Sequence, residues 1–353
     1  MSDRDCTTDL REQVESCCQH KTPMQIVGGQ SKTFYGNPVS AEPITVSAHR
    51  GIVHYEPTEL VLTARCGTPL AEIEQALASQ QQILGFEPPH FGDNATLGGS
   101  IASGLSGPAR PFRGAARDFV LGVRMINGKG ELLHFGGEVM KNVAGYDIAR
   151  LLTGSLGTLG MILEVSLKVL PKPELEQTYT FELSERVAIQ RINELIARAY
   201  PISAACYDGE HLYLRLSGNA AAVKSAHKQI GGDALDNDAQ FWHGLREHQH
   251  AFFQNQQPLW RLSLAAATPP LEFEGKQFID WGGAQRWLVS KEDPARIRKK
   301  ISELGGHATL FRHGGEHPVF QPLVGKLHEL HINLKLAFDP HCLFNPGRLY
   351  PDF

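Results

Sequence analysis

An α+β protein built in two parts is what this sequence predicts, and three observations carry the prediction. The chain has 353 residues, enough for two domains of roughly 150 residues each. Sixteen of its 35 glycines lie between Gly85 and Gly160, and residues 161–208 contain none. Pro171-Lys172-Pro173 stands just after the glycine-rich part ends, and prolines so spaced suit neither a helix interior nor a central strand. The expected division is therefore a first domain over residues 1–173, a smaller α+β domain over 174–321, and a helix with a tail over 322–353.

In chain order, residues 24–27 form a short apolar run that ends at Gly28-Gly29, and residues 60–64 form a second that ends at Cys66-Gly67; both read as strands closed by turns. A helix follows, with Thr68 as its cap, Pro69 at the first helical position and Leu70, Ile73 and Leu77 on one apolar face. Residues 85–114 are dense in Gly, Pro, Ser and Ala and show no strand alternation, a composition that lets backbone come close to a ligand. Residues 119–126 and 131–135 read as strands joined by the turn Asn127-Gly128-Lys129-Gly130. Asp147 caps a short helix to Leu152, and residues 161–170 form a β-rich run. In the second part, residues 178–183, 259–264 and 286–289 and the period-two run Leu212, Leu214, Leu216 suit strands, with Asp208-Gly209 as a turn. Helices are expected through Ile192, Leu195, Ile196 and Ala199 and over residues 294–304. One antiparallel sheet with helices is the layer these imply. A last helix carries Leu323, Leu327, Leu330 and Leu334 at heptad-like spacing.

Composition excludes several functions. With 34 Lys plus Arg against 38 Asp plus Glu, the net charge of −4 offers no basic surface for nucleic acid. No apolar run approaches the ~18 residues of a membrane span, and Met-Ser-Asp-Arg-Asp-Cys lacks the basic and apolar segments of a signal peptide; a cytoplasmic location is expected. The cysteines, Cys6, Cys17, Cys18, Cys66, Cys206 and Cys342, include no CxxC pair, so reduced thiols and no metal cluster are expected.

Chemistry concentrates in separated motifs. Gly28-Gly29-Gln30-Ser31-Lys32 is a tight loop after an apolar strand; successive backbone N–H groups there form an anion nest, to which a hydroxyl and an ammonium are added, and a diphosphate fits. Alone it matches neither GxxxxGK[ST] nor GxGxxG, and a plain turn is the commoner meaning of such a loop. Asp93-Asn94-Ala95-Thr96-Leu97-Gly98-Gly99-Ser100-Ile101-Ala102-Ser103-Gly104 opens a small-residue helix whose N–H groups and missing side chains suit a flat ligand. Arg113-Gly114-Ala115-Ala116-Arg117-Asp118 follows, and Arg110, Arg113 and Arg117 are candidates for binding a carboxylate. Two more motifs are Lys141-Asn142-Val143-Ala144-Gly145-Tyr146-Asp147 and Gly154-Ser155-Leu156-Gly157-Thr158-Leu159-Gly160, and the tail ends Phe338-Asp339-Pro340-His341-Cys342-Leu343-Phe344-Asn345-Pro346-Gly347-Arg348. His243, His248 and His250, beside Arg246 and Glu247, read as a solvated helix face, His328 and His331 as exposed or interface residues, and Trp242, Trp260, Trp281 and Trp287 as core.

In order and spacing, these motifs resemble the flavin domain of the vanillyl-alcohol oxidase and p-cresol methylhydroxylase (PCMH) superfamily, over residues 20–173 and 320–353. The resemblance implies a PCMH-type FAD-binding domain of two α+β subdomains, to which the tail returns, with residues 174–321 as a small cap. His49-Arg50-Gly51-Ile52-Val53-His54-Tyr55-Glu56-Pro57-Thr58-Glu59-Leu60 and Phe135-Gly136-Gly137-Glu138-Val139-Met140-Lys141-Asn142 are similar to the FAD-binding subunits of glycolate oxidase. Such chains work with a larger FAD-containing subunit and an iron–sulfur subunit in oxidising glycolate, a small 2-hydroxy acid, to glyoxylate, and lie at the inner membrane through those partners.

Carried over, the resemblance puts Gly28, Gly29, Gln30, Ser31 and Lys32 on the pyrophosphate. Thr96, Leu97, Gly98, Gly99, Ile101 and Ala102 run along the pyrophosphate and flavin edge, with Arg113 and Gly114 near the ring. Ile162 lies at the adenine, and Asn345 and Arg348 close the flavin end. Gly67, Thr68, Pro88, Asn142 and Gly160 are assigned to the same site. Gln30 stands where some members carry a linking histidine, so FAD is expected to be held without a covalent bond. Longer 2-hydroxy-acid dehydrogenases hold a metal with a His-x-Gly-Asp-Gly-Asn-x-His segment and a Gly-Glu-His; here Gly315-Glu316-His317 is the fragment present, and a lone Glu-His is too few ligands for a divalent ion. No metal and no catalytic residue are assigned. Two alternatives stay open, a self-sufficient FAD-dependent dehydrogenase and an electron-transfer or assembly subunit that binds no organic substrate.

Overall fold

The helix Thr7–His20 begins the fold in a computed structural model that describes residues 3–137, 147–315 and 317–353. Just before it, the Cys6 N–H donates to Nδ1 of the fully buried His49 at 3.0 Å, and Leu10 and Val14, four residues apart on one face, bury against the core. With so narrow a stripe among charged residues, this helix escapes a sequence reading. Two units are resolved by the density of internal contacts: Met1–Leu105, Ala115–Pro171 and Pro322–Phe353 in the first, Ser106–Gly114 and Lys172–Gln321 in the second.

In the first unit, Met24–Val27 pairs in parallel with Glu42–Thr45, so that Val27 lies opposite Thr45. The tail joins the same edge, since the Met24 N–H donates to Leu343 O at 2.8 Å and the Asn345 N–H to Met24 O at 2.9 Å. A five-stranded antiparallel sheet runs in the order Ile52–Glu56, Val61–Arg65, Met161–Lys168, Val120–Ile126, Leu132–Gly136. Met161–Lys168 sits at its centre with six of eight residues buried, Glu164 and Lys168 being the two that are not. On the helix Leu70–Ser79, Leu70, Ile73 and Leu77 are all fully buried. Thr68 does not cap that helix. Its hydroxyl accepts the Gly51 N–H at 2.9 Å and donates to Gly51 O at 3.2 Å, and Pro69 occupies the cap position. Asp147 does cap Ile148–Leu151, through the Arg150 N–H.

The C-terminal helix, Lys326–Phe338, departs from its expected leucine stripe. Leu323 lies outside it, Leu327 and Leu330 are 51% and 63% exposed, and Lys335 and Phe338 are its buried residues. The cause is an ion pair: Lys335 Nζ donates to Asp339 Oδ2 at 2.7 Å, to Thr158 O at 2.7 Å and to Phe344 O at 2.9 Å, with both side chains wholly buried.

The second unit is an eight-stranded antiparallel sheet in the order Asp233–Ala234, Leu175–Glu182, His211–Gly218, Ile202–Tyr207, Lys276–Asp280, Gln285–Val289, Leu259–Ser263, His307–Arg312. Leu212, Leu214 and Leu216 bury together with Ile189, Ile192 and Leu195 of the helix Glu185–Ile196. That helix stops short of Ala199, whose φ of 54° is left-handed. Trp242, Trp260 and Trp287 are core residues, whereas Trp281 lies under the Arg110 guanidinium at 4.4 Å. His248 is not on a solvated face: it is buried and stacked on Phe253 at 3.9 Å, and burial drives its pKa well down.

Candidate functional site

In the first unit a cavity of about 450 Å³ opens where the strand Met24–Val27 runs into residues 28–32. Gly28, Gly29, Gln30, Ser31 and Lys32 form one wall. Among the described residues, the backbone N–H groups of Gly28, Gly29, Gln30 and Ser31 have no protein acceptor. Four successive donors without a protein acceptor, beside a cavity, can form a nest for an anion. Gln30, with φ of 58°, supplies the left-handed step that such a nest uses. Lys32 Nζ adds a charge, steadied by His90 O at 3.2 Å and the Ser31 hydroxyl at 3.3 Å.

The opposite wall is the start of the helix Leu97–Ser103, with Thr96, Gly98, Gly99, Ala102 and Ser103 lining the cavity. Its N–H groups are not free for an anion. Leu97 donates to Thr68 O at 2.9 Å, Gly98 to Cys66 O at 2.7 Å, and Gly99 to the Thr96 hydroxyl at 3.3 Å. The donors thus come from the loop, and the helix supplies a smooth floor. Its adjacent glycines divide the work. A Cβ on Gly98 would lie 2.6 Å from Cys66 Cβ and 3.0 Å from Cys66 O, so this glycine lets helix and strand pack. A Cβ on Gly99 or Gly28 would meet the Thr96 hydroxyl alone, at 3.2 Å, so their bareness leaves room for a flat ligand. Gly98→Val is expected to lower the melting temperature by an amount equivalent to about 1–3 kcal/mol. Gly99→Leu should keep the wild-type melting temperature and lose flavin binding; full flavin retention in Gly99→Leu would remove Gly99 from the floor.

The remaining lining brings distant segments together: Ile26, Val27, Thr45 and Val46 from the parallel strands, Leu156, Gly157, Gly160 and Ile162 after the fourth motif, and Asn345 and Arg348 from the tail. Gly160 has φ of +145°, and a Cβ there would lie 2.6 Å from Ile126 O, so only glycine fits that bend. Cys66 also lines the cavity, but burial pushes its thiol up to about 12 and leaves it inert. Thr45, Val46, Thr33, Val39 and Pro43 belong to the lining without any motif to announce them; pairing across the parallel strands brings Thr45 there. Gly157 could have been read from the fourth motif.

Several expected site residues lie elsewhere. Leu97 and Ile101 point into the core with no exposure, and Pro88 is buried off the cavity wall. Gly67 is wedged beneath Val46 O, where a Cβ would come to 2.4 Å, and Thr68 is committed to Gly51. Arg113 and Gly114 belong to the second unit. Arg113 Nη2 donates to Glu176 at 2.9 Å and to the Ser217 hydroxyl at 2.7 Å, a pair that, with Arg215 3.6 Å away, holds the Glu176 carboxyl below its ordinary value against the opposing effect of burial. Arg117 is largely exposed beside Asp118. Arg113 is thus engaged with Glu176 and Ser217 within the second unit. Asn142 and Glu316 lie outside the described residues. Among the described residues no three His, Cys, Asp or Glu side chains converge as metal ligands.

Asn345 and Arg348 line the cavity with their own polar groups spent on protein. Asn345 Oδ1 accepts the Ile26 N–H at 2.8 Å and its Nδ2 donates to Leu156 O at 2.6 Å. Arg348 donates to three carbonyls of residues 33–37. Loop donors without a protein acceptor, one lysine and a floor of small residues fit a flat ligand that carries a diphosphate, as FAD does.

Residues 5–136 match the FAD binding domain family. The chain is 48% identical to the glycolate oxidase subunit GlcE of Escherichia coli over 99% of this chain and 98% of that one. It is 29% identical to glycolate oxidase subunit GlcD of Bacillus subtilis over 54% of this chain and 41% of that one, and 31% identical to a D-lactate dehydrogenase of Anaerostipes hadrus over 48% and 35%. Among solved structures, alkyldihydroxyacetonephosphate synthase shares the fold with a TM-score of 0.68 at 15% identity, covering 96% of this chain and 75% of that one. The fold is that of the PCMH-type FAD-binding proteins. With nearly half its residues identical along essentially the whole of both chains, this chain belongs to the family of the glycolate oxidase subunit GlcE.

Proposed function

We propose that this chain is the FAD-binding subunit of a glycolate oxidase complex, which oxidises glycolate, a 2-hydroxy acid, to glyoxylate and passes the electrons to an acceptor. The observation that carries the reading is the loop of unclaimed N–H groups at Gly28, Gly29, Gln30 and Ser31 in a cavity whose opposite wall is made of small residues. The loop with Lys32 would hold the diphosphate. Gly28, Gly99 and Ala102 would let the flat part of the cofactor lie against backbone, and Ile162 would meet the adenine. When bound, FAD supplies the redox chemistry, taking the electron pair that leaves the substrate carbon. The chain's own part is to bind, orient and shield the cofactor. Gln30 carries an amide where some covalent members carry an imidazole, which supports a cofactor held without a covalent bond. The partners in this reading are the larger FAD-containing subunit and an iron–sulfur subunit, with the complex in the cytoplasm and at the inner membrane through those partners. No helix among the described residues is long and apolar enough to cross a membrane.

A second reading is favoured by one feature, the lack of a His-x-Gly-Asp-Gly-Asn-x-His segment in residues 174–321: the chain relays electrons or supports assembly and leaves the organic substrate to its partner. Absorbance of the purified chain with FAD, before and after anaerobic glycolate or D-lactate, separates these. The expected result is a yellow protein whose flavin moves to the supernatant on acid precipitation and is bleached by glycolate when the larger subunit is added. A chain that stays colourless with FAD would overturn the cofactor reading, and a yellow precipitate the non-covalent one. Bleaching of the isolated chain would make it a self-sufficient dehydrogenase.

A further inference from the structure

We infer that residues 345–349 form a strap that presets the anion-binding loop, with Arg348 as its positioning residue. That the preset loop holds FAD rests on the reading above; the strap itself rests on geometry alone. Residues 28–31 make no backbone hydrogen bonds through their own N–H groups; their peptide planes are held locally only at Val27–Gly28, by the Val46 N–H on Val27 O at 2.9 Å, and at Gln30–Ser31, by the Thr33 N–H on Gln30 O at 3.4 Å, so the aim of the rest depends on the loop's flanks. Both flanks are tied to one short piece of tail. Upstream, the Ile26 N–H donates to Asn345 Oδ1 at 2.8 Å. Downstream, Arg348 Nη1 donates to Asn37 O at 2.7 Å, and Nη2 to Tyr35 O at 2.7 Å and Thr33 O at 3.1 Å.

The contact is reciprocal. Asn37 Nδ2 donates to Gly347 O at 3.0 Å and Leu349 O at 3.3 Å, and the Asn37 N–H to Arg348 O at 2.9 Å. The turn is moulded to the guanidinium: Gly36 has φ of +99°, and a Cβ there would lie 2.9 Å from Arg348 Nε. A planar fork can serve three carbonyls of one turn, which an ammonium on a flexible stem cannot do with the same geometry. A loop ordered before the ligand arrives does not charge its ordering entropy against binding, so the strap converts tail contacts into cofactor affinity.

The test uses the full chain without cofactor, as wild type, Arg348→Met and Arg348→Lys, with amide hydrogen exchange and FAD titration by flavin fluorescence. In Arg348→Met, exchange of the hydrogen-bonded amides of Ile26, Thr33, Tyr35 and Asn37 should rise about tenfold or more while residues 161–168 stay at wild-type rates. The Kd for FAD should rise about 10- to 100-fold, with an unchanged visible spectrum at saturation, and Arg348→Lys should recover part of both. Unchanged exchange in residues 26–37, or an equal rise throughout the first unit, would overturn the strap. Raised loop exchange with a Kd within about twofold of wild type would overturn its role in affinity. If wild type takes up no FAD yet loop exchange rises in Arg348→Met, the strap stands and the FAD reading falls. Should Arg348→Met fail to fold, Asn37→Ala removes two return bonds, keeps the guanidinium, and is read by the same measurements.

Discussion

Replacing Gly29 by alanine is expected to strip the protein of FAD while leaving it folded. A Cβ at residue 29 would lie 1.6 Å from the carbonyl oxygen of Asn94 and 2.7 Å from its carbonyl carbon. That is about half a normal contact distance, and the obstacle is backbone. One of the two segments must therefore move by more than an ångström, and either movement misaims the N–H groups of Gly28, Gly29, Gln30 and Ser31. A displacement of that size at a positioned site costs about 100-fold, so FAD affinity should fall by about that factor or more. The displaced backbone carries a cost of its own, so the melting temperature should fall by an amount equivalent to about 1–3 kcal/mol while far-UV circular dichroism stays native. Stoichiometric flavin in purified Gly29→Ala would show that this loop does not hold the cofactor.

The second large effect is on stability. Lys335→Met leaves Asp339 as a buried carboxylate whose Oδ2 retains the Phe344 N–H at 2.7 Å but loses its counter-ion. Breaking one side of a buried pair costs about 3–5 kcal/mol. For a unit of this size each kcal/mol shifts the midpoint by roughly 2–4 °C, so the melting temperature should fall by roughly 10 °C. The double variant Lys335→Met, Asp339→Asn keeps an acceptor for Phe344 without a stranded charge, and should recover much of the loss. A single variant that melts within about 2 °C of wild type, or a double variant worse than the single, would remove the pair from the account of stability. The pair also bears on the site, because the carbonyls that Lys335 binds belong to Thr158 and Phe344, next to the lining residues Gly157 and Asn345.

Much of the first unit was legible because its signals are local. The apolar face of Leu70, Ile73 and Leu77, the cap at Asp147 and the turn at residues 127–130 need only neighbours in sequence, and each folds as read. The loop at residues 28–32 is contiguous too, so its residue types could point to an anion. Misreadings arose where a long-range partner decides. Thr68 has the right chemistry for a cap, but Gly51 claims its hydroxyl. The leucine stripe of the last helix predicts burial, but a buried lysine salt bridge turns another face inward. His248 has charged neighbours in sequence and aromatic ones in space.

The sequence by itself determined the family-level outline, because glycines, caps and motif order are properties of the chain in one dimension: two α+β parts, an anion loop, and a glycine-rich segment suited to a flat ligand. Tertiary structure alone decided the division of labour within those motifs. Gly98 packs a helix on a strand while Gly99 clears a floor, although both are glycine in one motif, since their Cβ directions differ by a helical step. Arg113 pairs with Glu176, and Arg348 with three carbonyls. A guanidinium serves whichever acceptors the fold brings within hydrogen-bonding distance, and that distance is set by the packing of segments as many as 315 residues apart.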